Sequence, residues 1–251
     1  MANVKIVYRN ILENSTVNPT NENTSYPSYR LYDRDVGKLF KGESTADNFY
    51  ITIDQGASAS NTWYPVDRLV IHAGHNLTTA QGIVVQYSSD NFGADINSAT
   101  SWTSTEAATI SKSLSSLTQR YWRINFPDST SPPELTEVFL GADYTFQRNF
   151  AFGSKTGYRA NIAREETQSG KRRAVQLGDL REVRTYDLAV IETTQKEDFE
   201  AWIEHTEGLK PVYLIDENSN TLFVELLNDM EFSYKARNNI YSVVLEFQEV
   251  I

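Results

Sequence analysis

Apolar and polar positions alternate with a period of two along most of the first 145 residues. Phe49, Ile51 and Ile53 fall on one side of a run that ends at Asp54, as a half-buried strand requires. Ile83, Val85 and Tyr87 repeat the pattern. Trp122, Ile124 and Phe126 alternate with Tyr121, Arg123 and Asn125, which assigns Trp122 to a core. Turn-forming clusters at 54–61, 88–93 and 128–133 separate these runs. No stretch here keeps a helical period, so the spacing predicts an antiparallel sandwich or jelly roll over residues 1–145.

The texture changes near residue 146, and residues 146–251 read as a second domain. A strand-like run at 144–152 leads to an alternating stretch at 158–164 and a charged segment at 164–184. Residues 184–192 alternate again, with Tyr186, Leu188 and Val190 on one face. One helix follows. Thr194 and Glu197 stand as a capping box, Phe199, Trp202, Ile203 and Thr206 form an apolar stripe, and Gly208 suits a left-handed stop. Strands are expected at 211–216, 221–227 and 240–247, with a shorter one at 231–236 and a hairpin turn at 217–220. The prediction is a sheet with one packed helix, an α+β module, so the whole chain is mainly β.

Composition narrows the chemistry. The 251 residues contain no Cys and three His, which excludes disulfide scaffolds, thiol catalysis and cysteine-type metal sites. No apolar run approaches the roughly 18 residues of a membrane helix, and the polar start Met1-Ala2-Asn3 shows no secretory signal. Residues 1–186 carry 19 acidic and 19 basic side chains; residues 187–251 carry 14 and 4, and so hold the entire net charge of −10. That balance argues against a general nucleic-acid binder. Nucleotide-binding glycine motifs and the zinc-protease motif are absent. His72 and His75, three apart, point to opposite faces of a regular strand, which disfavours a two-His metal site. The expectation is a protein that is not an enzyme, without a catalytic residue.

In the first domain six short segments, in order, resemble the discoidin or galactose-binding-like modules. They are Tyr26-Pro27-Ser28-Tyr29 within 26–33, Thr52-Ile53-Asp54-Gln55-Gly56 within 49–56 and Pro65-Val66-Asp67-Arg68 within 65–71. Gln86-Tyr87-Ser88-Ser89-Asp90, Arg120-Tyr121-Trp122-Arg123-Ile124 and Glu137-Val138-Phe139-Leu140-Gly141 follow. The resemblance implies an eight-stranded jelly roll that contacts glycans through loops at one end. It also implies a structural calcium, with Asp33, its neighbour Asp35, and Glu137 as the matching acids; otherwise no cofactor is expected. The alternative for 33–37 is a plain polar turn. For sugar stacking, Trp63 and Tyr64 after a loop and Trp102 in a Ser/Thr-rich stretch are the candidate platforms, against the alternative of core or rim residues.

The second domain resembles the ring-forming domain of tailed-bacteriophage distal tail and tail-tube proteins. The likeness lies in Tyr186-Asp187-Leu188-Ala189-Val190-Ile191, the helix around Phe199-Glu200-Ala201-Trp202, Val212-Tyr213-Leu214-Ile215 and the closing Val243-Val244-Leu245-Glu246-Phe247. One departure is that the accessory sandwich leads here, whereas the ring domain usually comes first. The resemblance implies a structural virion component of a tail tip or baseplate, made in the bacterial cytoplasm. It would self-associate into a hexameric or trimeric ring, contacting other tail proteins and a host-surface glycan. DNA would pass through the lumen unbound, repelled by acids of 187–251, while Arg164, Lys171, Arg172, Arg173 and Arg181 reach a neighbouring subunit; the alternative for 164–184 is a solvated hairpin loop. The alternatives are a carbohydrate-binding protein whose second domain is a dimerisation or spacer module, and, further off, a glycan-degrading enzyme.

Overall fold

The computed structural model describes residues 3–43, 48–56, 63–77, 81–103, 108–127, 131–147, 150, 154–160, 162–166, 171–208, 210–236 and 239–250. The chain is mainly β with one α-helix among the described residues. It divides into two compact units: residues 9–143, and residues 144–251 joined by residues 1–8.

Residues 9–143 form two antiparallel layers. The first has five strands in the order Thr16–Pro19, Asn48–Asp54, Tyr121–Pro127, Gly82–Ser88 and Asn97–Thr103. In the second, Val66–Ile71 pairs with Val138–Thr145 on one side and Ile110–Leu117 on the other. The resemblance implies eight strands; five and three make up these two layers, and a short ladder of Phe40–Lys41 with Glu134–Leu135 stands outside them. Phe49, Ile51, Ile53, Ile83, Val85, Trp122, Ile124 and Phe126 point from the first layer into a core shared with Leu69, Ile71, Val138 and Leu140 from the second. Trp122 is fully buried, as its alternation requires. Asn10 closes the layer edge from within: its side chain donates to Val138 O at 2.9 Å and accepts the Leu140 N–H at 3.2 Å.

Residues 1–8 and 144–251 build a main antiparallel sheet around a separate core, beside a two-stranded hairpin of Ile162–Glu166 and Arg172–Gln176. Lys155–Arg159, Arg181–Ile191, Ile240–Glu249, Thr221–Leu226 and Val212–Ile215 lie in that order, and Lys5–Val7 of the first strand pair with Tyr213–Ile215. Ser233–Ala236 pairs with the start of Ile240–Glu249. The helix Thr193–Thr206 lays Phe199 and Trp202 on this sheet, Trp202 stacked on Phe247 with ring centres 5.9 Å apart and Phe199 edge-on to Phe146 at 5.3 Å. Burying two such rings contributes on the order of 1.5–3 kcal/mol each.

Several local expectations change. The helix begins at Thr193 and is capped at Glu192 without a side-chain bond; the Thr194 hydroxyl instead accepts from Gln147 Nε2 at 3.3 Å. Its C-terminal left-handed residues are Glu207 and Gly208 together. Val190 is exposed although Tyr186 and Leu188 are buried, because a bulge between Leu188 and Ile191 shifts the register and turns Ile191 inward. The run 158–164 is two strands, Lys155–Arg159 and Ile162–Glu166. Of the run 144–152, residues 148–149 and 151–152 lie outside the described residues. The 14 acids of 187–251 do not form one strip. Glu197, Asp198, Glu200 and Glu204 ride the exposed side of the helix, while Asp216 is buried.

Candidate functional site

The expected aromatic platforms lie at different ends of the five-stranded sheet. Trp63 and Tyr64 stand beside Gln55 and Gln119, where the pair Asp54–Tyr121 closes one end: Trp63 Nε1 donates to Gly56 O at 3.0 Å, and Gln55 accepts the Tyr64 N–H at 2.9 Å. Tyr64 is exposed, with the Arg9 guanidinium 4.6 Å above its ring. Trp102 pairs with Ile83 toward the opposite end, about 17 Å along the strands by the rise per residue. It packs partly into the core, with Lys112 Nζ 5.9 Å from the ring centre and its Nε1 buried without a partner among the described residues. The structure therefore keeps Trp63 and Tyr64 together and separates Trp102 from them.

A second aromatic pair, Tyr26 and Tyr29, belongs to the segment 26–33 of the resemblance. Pro27 leads into the short 3-10 helix Ser28–Leu31, whose Ser28 N–H is bonded to Glu22. Leu31 is buried, which turns Tyr29 outward at 50 % exposure beside Tyr26 at 37 %. Arg30 Nη1 donates to Leu39 O at 3.0 Å, and its guanidinium lies 5.4 Å from the Tyr26 ring centre. Lys41 and Glu134 pair on the adjoining ladder. This rim offers ring faces, a cation and carboxylates on a pinned turn.

The acidic trio does not converge. Asp33 and Asp35 both pair with Lys38 Nζ, at 3.3 and 3.0 Å, and Asp35 also accepts the Gly37 N–H. Bonds from Lys38 and Gly37 lower the Asp35 carboxyl below its usual range. Glu137 is fully buried. Its Oε2 accepts the Arg34 N–H at 3.0 Å, while Oε1 has no partner among the described residues, and burial pushes its carboxyl well above the usual range. Among the described residues no group of three His, Cys, Asp or Glu is placed to hold a metal. As a set, the trio does not fit a calcium ion.

His72 and His75 are closer in character than a regular strand implies. The strand ends at Ile71, and a turn through Gly74 at φ 91° brings His75 back toward Ala108. Burial, and the neighbouring His75, lower the His72 imidazole to about 4. Burial lowers the His75 imidazole as well.

The basic residues of the second unit sit on an exposed hairpin. Ile162–Glu166 pairs with Arg172–Gln176, placing Arg164 opposite Ala174. Lys171, Arg172 and Arg173 are exposed, and Arg181 is half-buried at the start of its strand. Apolar side chains share this region: Tyr158 is 73 % exposed, Val175 58 % and Leu177 61 %.

No protein-family model matches the chain, and no curated protein does. Solved structures similar to it include carbohydrate-binding modules. Chitosan-binding module 1 of a chitosanase/glucanase from Paenibacillus sp. IK-5 has 14% identity over 54% of this chain and 99% of that one, with a TM-score of 0.45. A module of Clostridium perfringens, in complex with GalNAc-β-1,3-galactose, has 11% identity over 55% of this chain and 99% of its own, with a TM-score of 0.43. At these identities and scores, a reading of function rests on the residues of this chain.

Proposed function

We propose that the protein is a carbohydrate-binding protein, not an enzyme, whose sandwich unit contacts a glycan and whose second unit serves as a spacer or self-association module. The observation that carries this reading is the exposed pair Tyr26 and Tyr29 with Arg30 on one pinned turn. A sugar ring stacks its C–H face on such rings while its hydroxyls meet the neighbouring guanidinium and carboxylates. A glycan array followed by calorimetry tests this reading. Tyr29→Ala should weaken the best glycan at least tenfold with the melting temperature preserved; equal binding by the variant, or no glycan bound at all, refutes the reading.

A second reading, a ring-forming structural component of a phage tail, is favoured by the hairpin. Two strands alone are marginal in water, and this one exposes Val175 among Arg172 and Arg173 in a chain whose last 65 residues are strongly acidic. A second copy would cover the apolar side chains and pair the opposite charges. Sedimentation velocity with rising concentration, for the wild type and for Val175→Asp with Leu177→Asp, tests it. A wild type that stays monomeric throughout abandons this reading.

A further inference from the structure

The outer face of the five-stranded sheet carries a side chain that neither reading uses. Arg123 points away from the core, in register with Thr52 on one neighbouring strand and Gln86 on the other. Its guanidinium carbon lies 4.4 Å from the Tyr50 ring centre and 4.3 Å from that of Phe92, and Nε donates to Gln86 Oε1 at 2.6 Å. The described residues give its two Nη nitrogens no acceptor and pair no carboxylate with it. A planar donor fork is thus fixed on three sides and left open on the fourth.

The fixing is deliberate in backbone terms. Asn91 and Phe92 both have positive φ, 59° and 64°, a region that a bulky residue enters only when its surroundings force it. The Asp90 carboxylate accepts the N–H groups of Gly93, Ala94 and Asp95, and Ser88 Oγ accepts those of Asp90 and Phe92. That network holds the strained turn and sets the Phe92 ring against Arg123.

An independent observation lies two residues further on. Asn125, on the same face between Tyr50 and Val84, is 8 % exposed, and its Oδ1 is buried with no partner among the described residues. An open cationic fork beside an unpaired acceptor fits a ligand that brings an anion and a hydroxyl donor together. Row neighbours across the sheet, Asn18, Thr52, Gln86 and Ser98, add further polar groups at about 4.8 Å spacing. Acids at the rim are already engaged: Asp54 accepts two bonds from Arg120, at 2.7 and 3.0 Å.

We propose that this sheet face, centred on Arg123, binds the carboxylate of a uronic-acid residue in an acidic polysaccharide, with a ring hydroxyl of the same sugar reaching Asn125. A hydroxy-carboxylate fits both features, whereas a peptide carboxylate supplies only the anion. A fork held in place loses little freedom on pairing with a carboxylate. The inference rests on the carbohydrate reading but uses a different surface from the Tyr26–Tyr29 rim.

Titration of the full chain with oligogalacturonate, its methyl ester and a neutral galactose oligomer tests it. The acid should bind, and the ester should bind at least tenfold more weakly. Arg123→Gln and Arg123→Lys should each lose tenfold or more for the acid, because an ammonium keeps the charge but not the fork. An ester that binds as well as the acid, or folded Arg123 variants that bind like the wild type, overturns the proposal. Neutral-glycan binding that depends on Tyr29 alone, with no binding of the acid, overturns it and leaves the carbohydrate reading standing; no saccharide binding of any kind overturns both. Should the variants fail to fold, NMR titration of the wild type decides. Shifts centred on the Arg123 Nε–H and the Asn125 side-chain amide support the site, and shifts centred elsewhere refute it.

Discussion

Arg184 Nη1 donates to Asp216 Oδ2 at 2.7 Å, tying the strand Arg181–Ile191 to the turn after Val212–Ile215. Asp216 is 1 % exposed and also accepts the N–H groups of Asn218 and Asn220, so one carboxylate serves both the turn and the pair. Burial alone would raise its carboxyl; the Asn220 and Arg184 donors outweigh burial and leave it lowered. Arg184→Met strands a buried charge and should cost about 3–5 kcal/mol. Arg184→Met with Asp216→Asn should recover part of that, since Asn keeps the turn acceptor without the charge. Denaturant unfolding of the two variants checks this. Because the folded carboxyl is depressed, its contribution is present above the unfolded pKa near 4 and is lost as pH falls through the folded value.

What the sequence made legible follows from the range of the forces involved. Phe49, Ile51 and Ile53 could be assigned to one face because strand alternation is local, and all three are buried. Val190 could not, because the bulge that exposes it depends on the partner strand Ile240–Glu249. Thr194 reads as a cap by spacing, yet its hydroxyl is taken by Gln147, 47 residues away. The N-terminal segment looks like the start of the sandwich, but the Phe146 N–H donates to Val4 O at 2.9 Å and places it with the second core. The sites were less legible still. In the sequence Arg123 is the polar alternate of Trp122 and one position of a short motif, and Tyr29 one position of another. Exposure and an open guanidinium are products of tertiary packing, which no spacing rule reports.

Gly141 admits no side chain. A Cβ there would lie 2.0 Å from the backbone oxygen of Arg9, a contact that neither strand can relieve by a rotamer change. Gly141→Ala should cost about 3 kcal/mol or more, or abolish soluble expression. Gly157→Ala, where nothing lies within 4 Å of the added carbon, should stay within about 1 kcal/mol of the wild type. Paired melting curves decide.

His72 makes the sandwich acid-sensitive. Its folded imidazole takes a proton near pH 4, and the unfolded one near 6.5. Between those values the unfolded state binds more protons, so stability is complete above pH 6.5 and falls as pH drops toward 4. Partial exposure limits the loss to about 1–2 kcal/mol. His72→Gln should make the fall in melting temperature between pH 6.5 and 4 shallower, the His75 imidazole, also lowered by burial, keeping part of it; an unchanged slope in the variant would place the sensitivity elsewhere.

Glu137 poses the opposite case, and it also tests the calcium expectation. Its carboxyl is raised chiefly by burial, so the folded state holds a proton that the unfolded state releases above about pH 4.5. Stability from this group is complete at low pH and is lost as pH rises through the folded value. Glu137→Gln keeps an acceptor for the Arg34 N–H and removes the ionisable group, so at pH 7.5 it should match or exceed the wild type, by up to about 3 °C for a change of about 1 kcal/mol. At pH 4.5 the two should melt together. Millimolar calcium should leave both melting temperatures unchanged, because Asp33 and Asp35 are turned to Lys38 rather than toward Glu137 Oε1. A wild type that melts several degrees higher with calcium, and a Glu137→Gln variant that does not, would show that the carboxylate holds a cation after all.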